Sequence, residues 1–251
     1  VGFFLGAALL AAFGFETSLW IMAIGLILIL LTGVMLPKGM GKIKAKVKFS
    51  QLFSKSREIN ILSAARFFLF GSRDVWFVVG LPVFLRSGLG WSFYQAGGFL
   101  ACWVIGYGMI QFLAPTLLRQ FGNGEPPKAK TIQFWTGVLT AIPASIALAM
   151  QLNAPPDVTI VVGLMIFGIV FAFNSAVHSY LVLAFTNDDK VALNVGFYYM
   201  ANSGGRLIGT VLSGLIYQWY GLVGCLWASS LFVLAAWAIS LKLPDPQPTQ
   251  A

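Results

Sequence analysis

Apolar residues occupy this chain in long unbroken blocks, and short segments rich in charge, glycine and proline separate the blocks. Most blocks have about 20 residues or more, the length at which an α-helix crosses a hydrocarbon core. Strands of a membrane barrel would alternate apolar and polar residues, and these blocks do not. The pattern therefore predicts an all-α integral membrane protein. Seven complete spans are predicted, at residues 17–36, 60–86, 93–118, 131–150, 158–185, 194–218 and 222–242.

The composition agrees with this class of protein. Of the 251 residues, 58% are hydrophobic and 10% are charged, whereas a soluble domain carries about 25% charged residues. The first residues, VGFFLGAALLAAFGF, are already apolar and show neither the basic region nor the cleavage site of a signal peptide. We therefore expect residues 1–36 to be the end of an N-terminal transmembrane bundle, namely part of its fifth helix followed by its sixth.

Basic residues are distributed unevenly about the predicted spans. Twelve of the sixteen fall on one side of the membrane, seven of these in segment 37–59, and the other side has only Arg86. The positive-inside rule makes the first side cytoplasmic. This places the C-terminus in the cytoplasm and predicts a multi-pass membrane protein. The net charge of +8 then reflects topology beside anionic lipid, so we expect the lipid bilayer, and no nucleic acid, as a partner.

The basic segment also divides the chain. We interpret residues 37–59 as a cytoplasmic linker, 60–243 as a C-terminal six-helix bundle and 244–251 as a disordered cytoplasmic tail. Six spans after a long basic loop, with an apolar region before it, are typical of the second half of a 6+6 transporter. A solitary channel or receptor of six or seven helices is the alternative.

Charged residues interrupt the second predicted span, in FLFGSRDVWFVVG. A charge near the bilayer centre costs about 2.5–3.5 kcal/mol, so it normally faces a cavity or a partner. The spacing of Ser63, Arg66, Phe70 and Arg73 places them in one stripe of a helix. Asp74 lies about 100° around from Arg73, and we expect it to face another helix or a different wall of the cavity rather than simply neutralise its neighbour. Arg66 and Arg73 are candidate substrate ligands, and Asp74 is either the electrostatic partner of Arg73 or a proton-coupling site.

The sixth predicted span repeats this pattern in VGFYYMANSGGRLIGTVLSG. Tyr198, Asn202 and Arg206 recur every four residues on one face, with Arg206 near mid-depth, and all three are candidate substrate ligands. Three small residues of the same span have the spacing that lets a neighbouring helix approach closely, and packing explains them: Gly205, Gly209 and Ser213.

Three more polar side chains lie inside predicted spans. Asn174 and His178, in FNSAVHSY, are four residues apart on one face, and Gln111 lies in WVIGYGMIQFLAP. Gln111 and Asn174 could each contact a substrate or only a neighbouring helix. His178 could relay a proton or hydrogen-bond a helix. Because the sequence has one histidine, an all-histidine metal site is excluded, and we expect no metal and no cofactor.

Three intramembrane arginines against one aspartate predict a positively charged cavity. Guanidinium groups bind carboxylate, phosphate and arsenate oxygens in a bidentate manner, so we expect an anionic substrate with more than one charged oxygen group. Proton exchange through Asp74 or His178 would drive its transport. A membrane-embedded enzyme would need a nucleophile with a base, or a carboxylate-metal cluster. The acidic residues are scattered, with only Asp188 and Asp189 adjacent, so we do not expect an enzyme.

Four segments, VGFFLGA, KFSQLFSKSREINILSAARFFLFGSRDVWFVVGLPVFL, WVIGYGMIQFLAP and YYMANSGGRLIGT, together resemble the ArsJ-type organoarsenical efflux permeases of the major facilitator superfamily. The resemblance covers nearly all of residues 1–242. It implies a twelve-helix transporter of the bacterial inner membrane, of which this sequence holds the later part. It implies export of 1-arseno-3-phosphoglycerate, made by a glyceraldehyde-3-phosphate dehydrogenase, and hence arsenate resistance. A major-facilitator exporter of a drug, a sugar or another organic anion is the alternative, in which the arginines would form gating salt bridges.

Overall fold

The computed structural model describes residues 2–35, 56–122, 125–186 and 191–245, and all regular structure within these ranges is helical. Six helical runs are long and apolar enough to cross a membrane. The prediction of an all-α membrane helix bundle is therefore confirmed. The helices are α1 (Gly2–Val34), α2 (Arg57–Phe77), α3 (Gly80–Val83) with a following π-helical turn (Phe84–Gly88), α4 (Phe93–Phe121), α5 (Ala129–Gln151), α6 (Pro156–Ala184) and α7 (Val191–Ser240).

Single glycines interrupt the two longest helical runs. Gly14 in α1 has a φ of 73° and Gly221 in α7 has a φ of 62°, values that a residue without a Cβ adopts readily. The Cys225 sulfur lies 3.6 Å from the Ser213 carbonyl oxygen, whereas twelve residues of straight helix would separate them by about 18 Å. The chain therefore reverses at Gly221. We call the two arms α7a (191–220) and α7b (222–240), which correspond to the last two predicted spans.

Helices α2 and α7a approach each other closely through glycines. A Cβ placed on Gly205 would fall on the backbone of Phe67, and one on Gly209 would lie 2.6 Å from the Gly71 carbonyl oxygen. Ser213, one turn further on, accepts a hydrogen bond of 3.0 Å from the Gly80 amide where α2 gives way to α3. The geometry agrees with the packing interpretation of these small residues, and it fixes the α2–α7a crossing that positions the polar side chains described below.

One end of the bundle collects the starts of α2, α5 and α7a and the ends of α4, α6 and α7b. The Ala129 amide at the start of α5 donates to Asp245, which follows α7b, at 3.0 Å. A buried apolar cluster joins side chains from this end, including Ile59, Leu118, Ile132, Leu181 and Leu243. Because α2 begins at this end, where the predicted linker ends in the sequence, we call it the linker end. Its assignment to the cytoplasm stays a prediction.

Helix α1 lies at the edge of the bundle. It contacts α4, where Phe4 approaches Gly98, and it leaves most of its apolar side chains exposed, for example Trp20 and Leu30. Exposed apolar side chains are expected on a surface that faces lipid or other membrane helices. Most of the predicted basic linker and of the predicted disordered tail lies outside the described residues, as do Asp188, Asp189 and Lys190.

Candidate functional site

The charged residues of α2 and α7a meet at the middle of the bundle. Arg73 and Asp74 lie at the centre of the 32-residue membrane span Arg57–Gly88, and Arg206 lies at the centre of α7a. At 1.5 Å per residue, Arg66 is about 10 Å closer to the linker end than Arg73. The site therefore has two levels, which we call the central level (Arg73, Asp74, Arg206) and the linker-side level (around Arg66).

At the central level, Asp74 is held by two arginines from different helices. Arg73 directs both Nε and Nη2 to Asp74 Oδ1 at 2.7 Å, and Arg206 donates from Nε to Asp74 Oδ2 at 2.8 Å. The Asp74 side chain is only 1% exposed, while Arg73 is 14% and Arg206 51% exposed. A buried carboxylate thus ties α2 to α7a.

This arrangement corrects one expectation. Asp74 faces another helix, which is one of the two surroundings predicted for it. It also pairs with Arg73, so the expectation that it would not neutralise its neighbour was wrong. The expectation considered only the 100° between neighbouring Cα–Cβ directions. An arginine side chain has several rotatable bonds and five N–H donors, so it can bend around the helix to an adjacent residue.

At the linker-side level, Arg66 is buried without a carboxylate. Its side chain is 4% exposed overall, and no Asp or Glu of the described residues lies within 4.0 Å of it. Its hydrogen bonds go to neutral acceptors: Nε donates to Asn202 Oδ1 at 3.1 Å, and Nη1 donates to the Ser175 hydroxyl and carbonyl oxygens at 3.3 and 3.4 Å. Its positive charge therefore faces the dipoles of uncharged oxygens, with no carboxylate among the described residues to pair with it.

Aromatic rings connect the two levels. The guanidinium carbon of Arg66 lies 3.8 Å from the Phe70 ring centroid and 4.9 Å from that of Tyr198. Arg73 stands 5.1 Å from the same Phe70 ring and 5.6 Å from Phe171. Cation–π contacts of this kind stabilise a cation that has left water. The structure therefore brings Arg66, Phe70 and Arg73 together as the predicted stripe required.

Gln111 connects the linker-side level to a cavity. Its amide nitrogen donates to the Ser175 hydroxyl at 3.2 Å, so Ser175 receives hydrogen bonds from both Gln111 and Arg66. Gln111 also lines a cavity of about 600 Å³ between α4 and α6, whose wall includes Arg119, Ser179 and Tyr180. This cavity extends from Gln111 toward the linker end. Gln111 is joined to Arg66 by the Ser175 hydroxyl, which accepts a hydrogen bond from each of them.

Asn174 points to a different helix from the other predicted ligands. It is fully buried; its side-chain oxygen accepts a hydrogen bond of 2.7 Å from Thr136 of α5, and its amide donates to the Val170 carbonyl at 3.1 Å. Of the two uses left open, this geometry favours the contact between neighbouring helices. No hydrogen bond joins Asn174 to the arginines in the described part of the chain.

Replacing Asn174 by alanine should therefore lower stability without changing anion binding. Thr136 would lose its inter-helix partner but keep the Ile132 carbonyl as an acceptor, so we expect a cost of about 1 kcal/mol in unfolding free energy for the lost hydrogen bond. Thermal unfolding in detergent and binding of 3-phosphoglycerate, used as a stable phosphorylated anion, measure the two effects. Asn202→Ala is the matched comparison, because it removes an amide that contacts Arg66. Equal losses of binding in both variants would contradict this assignment.

His178 lies one turn beyond Ser175 on α6 and is fully buried. Neither ring nitrogen has a hydrogen-bond partner among the described residues. The geometry therefore does not show the helix-tying hydrogen bond that was one of its two possible uses. The proton-relay role of His178 stays a prediction, as do the ligand roles of the other candidates.

Some residues of this site were not singled out from the sequence. Ser175 is the common acceptor for Arg66 and Gln111, and Phe171 covers Arg73. Phe171 and Ser175 lie one turn apart in α6. In the sequence, Ser175 could have been noticed because it lies four residues before Ser179 in an otherwise apolar span. This signal is weak, because a serine often bonds the backbone of its own helix, as Ser179 does here.

The arrangement is suited to binding an anion. Three guanidinium groups and one carboxylate give the two levels a formal charge of +2, and the burial of Arg66 and Asp74 strengthens charge–charge interactions relative to water. No group of three His, Cys, Asp or Glu side chains within the described ranges is placed to hold a metal ion. Guanidinium groups in general bind oxygen-rich anions, and carboxylate and imidazole groups can exchange protons.

No protein-family model matches the chain. The chain is similar to a quinolone resistance protein. It is 24% identical over 201 residues to quinolone resistance protein NorB of Staphylococcus aureus strain RF122, an alignment that covers 77% of the chain and 42% of the relative. NorB of strain JH9 is 24% identical over 205 residues, covering 78% and 43%. The chain thus spans about two fifths of the length of the curated relatives that it matches.

Proposed function

We propose that this chain forms the C-terminal half of a secondary transporter that exports a phosphorylated organic anion from the cytoplasm. The observation that supports the proposal most is Arg66, a nine-tenths-buried guanidinium with no carboxylate partner among the described residues. Removing an unpaired charge from water is unfavourable by several kcal/mol. In this proposal Arg66 is retained because it binds the substrate, and the substrate supplies the negative charge that the described residues do not.

The spacing of the two levels suits a substrate with charged groups at both ends. Arg66 and Arg73 stand over the same Phe70 ring, so their guanidinium carbons lie within about 9 Å of each other. A short phosphorylated acid could place one oxygen-rich group at Arg66 and the other at Arg73 and Arg206. We propose 1-arseno-3-phosphoglycerate, the substrate that the family resemblance implies, because its phosphoryl and arsenyl groups lie at opposite ends of a three-carbon chain.

In this proposal two helix bundles rock around the central level to expose it to each side of the membrane in turn. A glyceraldehyde-3-phosphate dehydrogenase supplies the substrate in the cytoplasm, and export confers arsenate resistance. The cavity beside Gln111 opens toward the linker end, which the positive-inside rule makes the cytoplasmic side. Asp74 and His178 are the candidate carriers of the exchanged proton. The site acts on its substrate by binding and release, without enzymatic conversion.

Everted membrane vesicles containing the full-length protein should accumulate arsenic when supplied with the dehydrogenase, arsenate and glyceraldehyde 3-phosphate. Accumulation should require all three components and an energised membrane, and vesicles without the transporter are the control. Sealed and energised vesicles that take up no arsenic above this control would contradict the organoarsenical assignment.

A second candidate function is an exporter of another small molecule, such as a drug. The similarity to a protein named for quinolone resistance favours it, and so do aromatic side chains beside the arginines, among them Tyr107 against Phe171. In that case the pairing of Asp74 with Arg73 and Arg206 would act as a gate between α2 and α7a. Vesicles that accumulate a quinolone equally well with wild-type protein and with Arg66→Gln, and accumulate no arsenic, would identify this function.

A further inference from the structure

Asp74 occupies the position where an anionic substrate would bind at the central level. Each of its two oxygens is taken by a different arginine, Oδ1 by Arg73 and Oδ2 by Arg206. No other carboxylate of the described residues pairs with either arginine. The bound carboxylate therefore resembles, in charge and in oxygen geometry, one end of the proposed substrate.

The arginines keep unused donors for a ligand. Arg206 bonds Asp74 through Nε alone, and its two Nη groups make no hydrogen bond within the described ranges. Half of its side chain is exposed. An anion can therefore bind Arg206 before the contact with Asp74 breaks. The anion can then replace Asp74 without an intermediate in which an arginine has no negatively charged partner in the membrane interior.

We propose that Asp74 is an internal competitor that substrate must displace, and that this competition makes the site selective for anions with two or more charges. The inference rests on the proposed anion-binding function and adds a specificity-determining residue to it. Asp74 is tethered beside its arginines, so its effective concentration there is in the millimolar range or above. A free monoanion has the same charge as Asp74 but is not tethered, so its replacement of Asp74 at the arginines is unfavourable.

A phosphorylated anion differs from Asp74 in two ways. A phosphoryl group brings more negative charge and three acceptor oxygens, which can use the free Nη donors of Arg206 as well as the groups now bound to Asp74. A second charged group on the same molecule can bind Arg66, which Asp74 does not contact. These added interactions are what a simple carboxylate lacks, and they allow the polyanion to displace the tethered carboxylate.

The test compares binding of 3-phosphoglycerate and of glycerate, which share a carbon chain and differ in the phosphoryl group, to purified full-length protein. Wild type should bind 3-phosphoglycerate at least about 100-fold more tightly than glycerate. Asp74→Asn should tighten glycerate binding about tenfold or more, because a competing charge has been removed. The matched control is Asp157→Asn, which removes an exposed carboxylate from the first turn of α6 and should leave both affinities unchanged.

Each outcome bears on one of the two proposals. Wild type and Asp157→Asn that bind no 3-phosphoglycerate would overturn the anion-binding function and this inference with it. If wild type binds 3-phosphoglycerate, and Asp74→Asn weakens the binding of both ligands or leaves it unchanged, the inference alone would be overturned.

A measurement on wild type covers the case in which Asp74→Asn does not fold. Infrared difference spectra of protein labelled with ¹³C at the aspartate carboxyl should show a shift of an aspartate carboxylate band when 3-phosphoglycerate binds, because Asp74 changes partners. Saturating 3-phosphoglycerate that leaves the aspartate bands unchanged would overturn the inference.

Discussion

Arg66→Gln is expected to weaken 3-phosphoglycerate binding by about 100-fold and, at the same time, to raise the stability of the ligand-free protein. A charge-assisted contact that is desolvated contributes about 2–5 kcal/mol when one partner is removed, and Arg66 is buried with only neutral acceptors around it. The same desolvation makes the unliganded guanidinium unfavourable, so glutamine in its place should be tolerated or preferred. Isothermal titration and thermal unfolding measure the two changes.

Opposite signs in these measurements would distinguish a ligand residue from a structural one. Arg66→Lys should give an intermediate loss of binding, because a lysine keeps the charge but not the bidentate geometry. Arg86→Gln is the matched control: Arg86 is exposed at the far end of the span and bonds the Trp91 carbonyl. If Arg66→Gln destabilised the protein and left binding intact, Arg66 would be a packing residue and the proposed function would lose its main support.

Gly205→Ala is expected to destabilise the protein by about 3 kcal/mol or more and to reduce the yield of folded protein. The added Cβ would fall on the Phe67 backbone, which cannot move aside as a side chain can. Helix α2 would have to shift away from α7a, and the hydrogen bonds of Arg66 to Asn202 and of Arg206 to Asp74 would lengthen. Overpacking of this kind is among the larger effects of a single methyl group.

The matched control for this prediction is Gly214→Ala in the same helix. A Cβ at Gly214 meets no atom within 4 Å, so the substitution should be neutral or stabilise slightly through helix propensity. Fluorescence-detected size-exclusion chromatography after a temperature series compares the two variants at equal expression. A melting temperature for Gly205→Ala equal to that of Gly214→Ala would show that the α2–α7a contact is looser than the structure has it.

Much of the fold could be predicted because the membrane imposes a simple rule on the sequence. Spans must be apolar over about 20 residues, and their backbone groups must be satisfied within the helix. The predicted span 93–118 corresponds to α4 (Phe93–Phe121), and 131–150 to α5 (Ala129–Gln151). The boundaries differ by a few residues, because the helices continue into polar residues beyond their apolar part, such as Arg119 and Gln120 in α4 and Lys130 in α5.

The site could be predicted less completely. Helical periodicity placed Arg66 and Arg73 on one stripe, and the structure joins them through Phe70. Periodicity says nothing about how far a long side chain bends, which is why the Arg73–Asp74 pair was not expected. It also does not say which helix a polar face meets, so Asn174 remained ambiguous until Thr136 of α5 was seen to donate to it.

The sequence by itself determined the class of protein, the approximate spans and the presence of three cations and one acid inside the membrane, because apolar length and charge are local properties of the chain. Only the tertiary structure decided which of those charges pair. Asp74 pairs with Arg73 and Arg206, while Arg66 forms hydrogen bonds with Ser175 and Asn202. That division depends on the close crossing of α2 and α7a at Gly71, Gly205 and Gly209, which brings residues more than 130 positions apart within hydrogen-bonding distance.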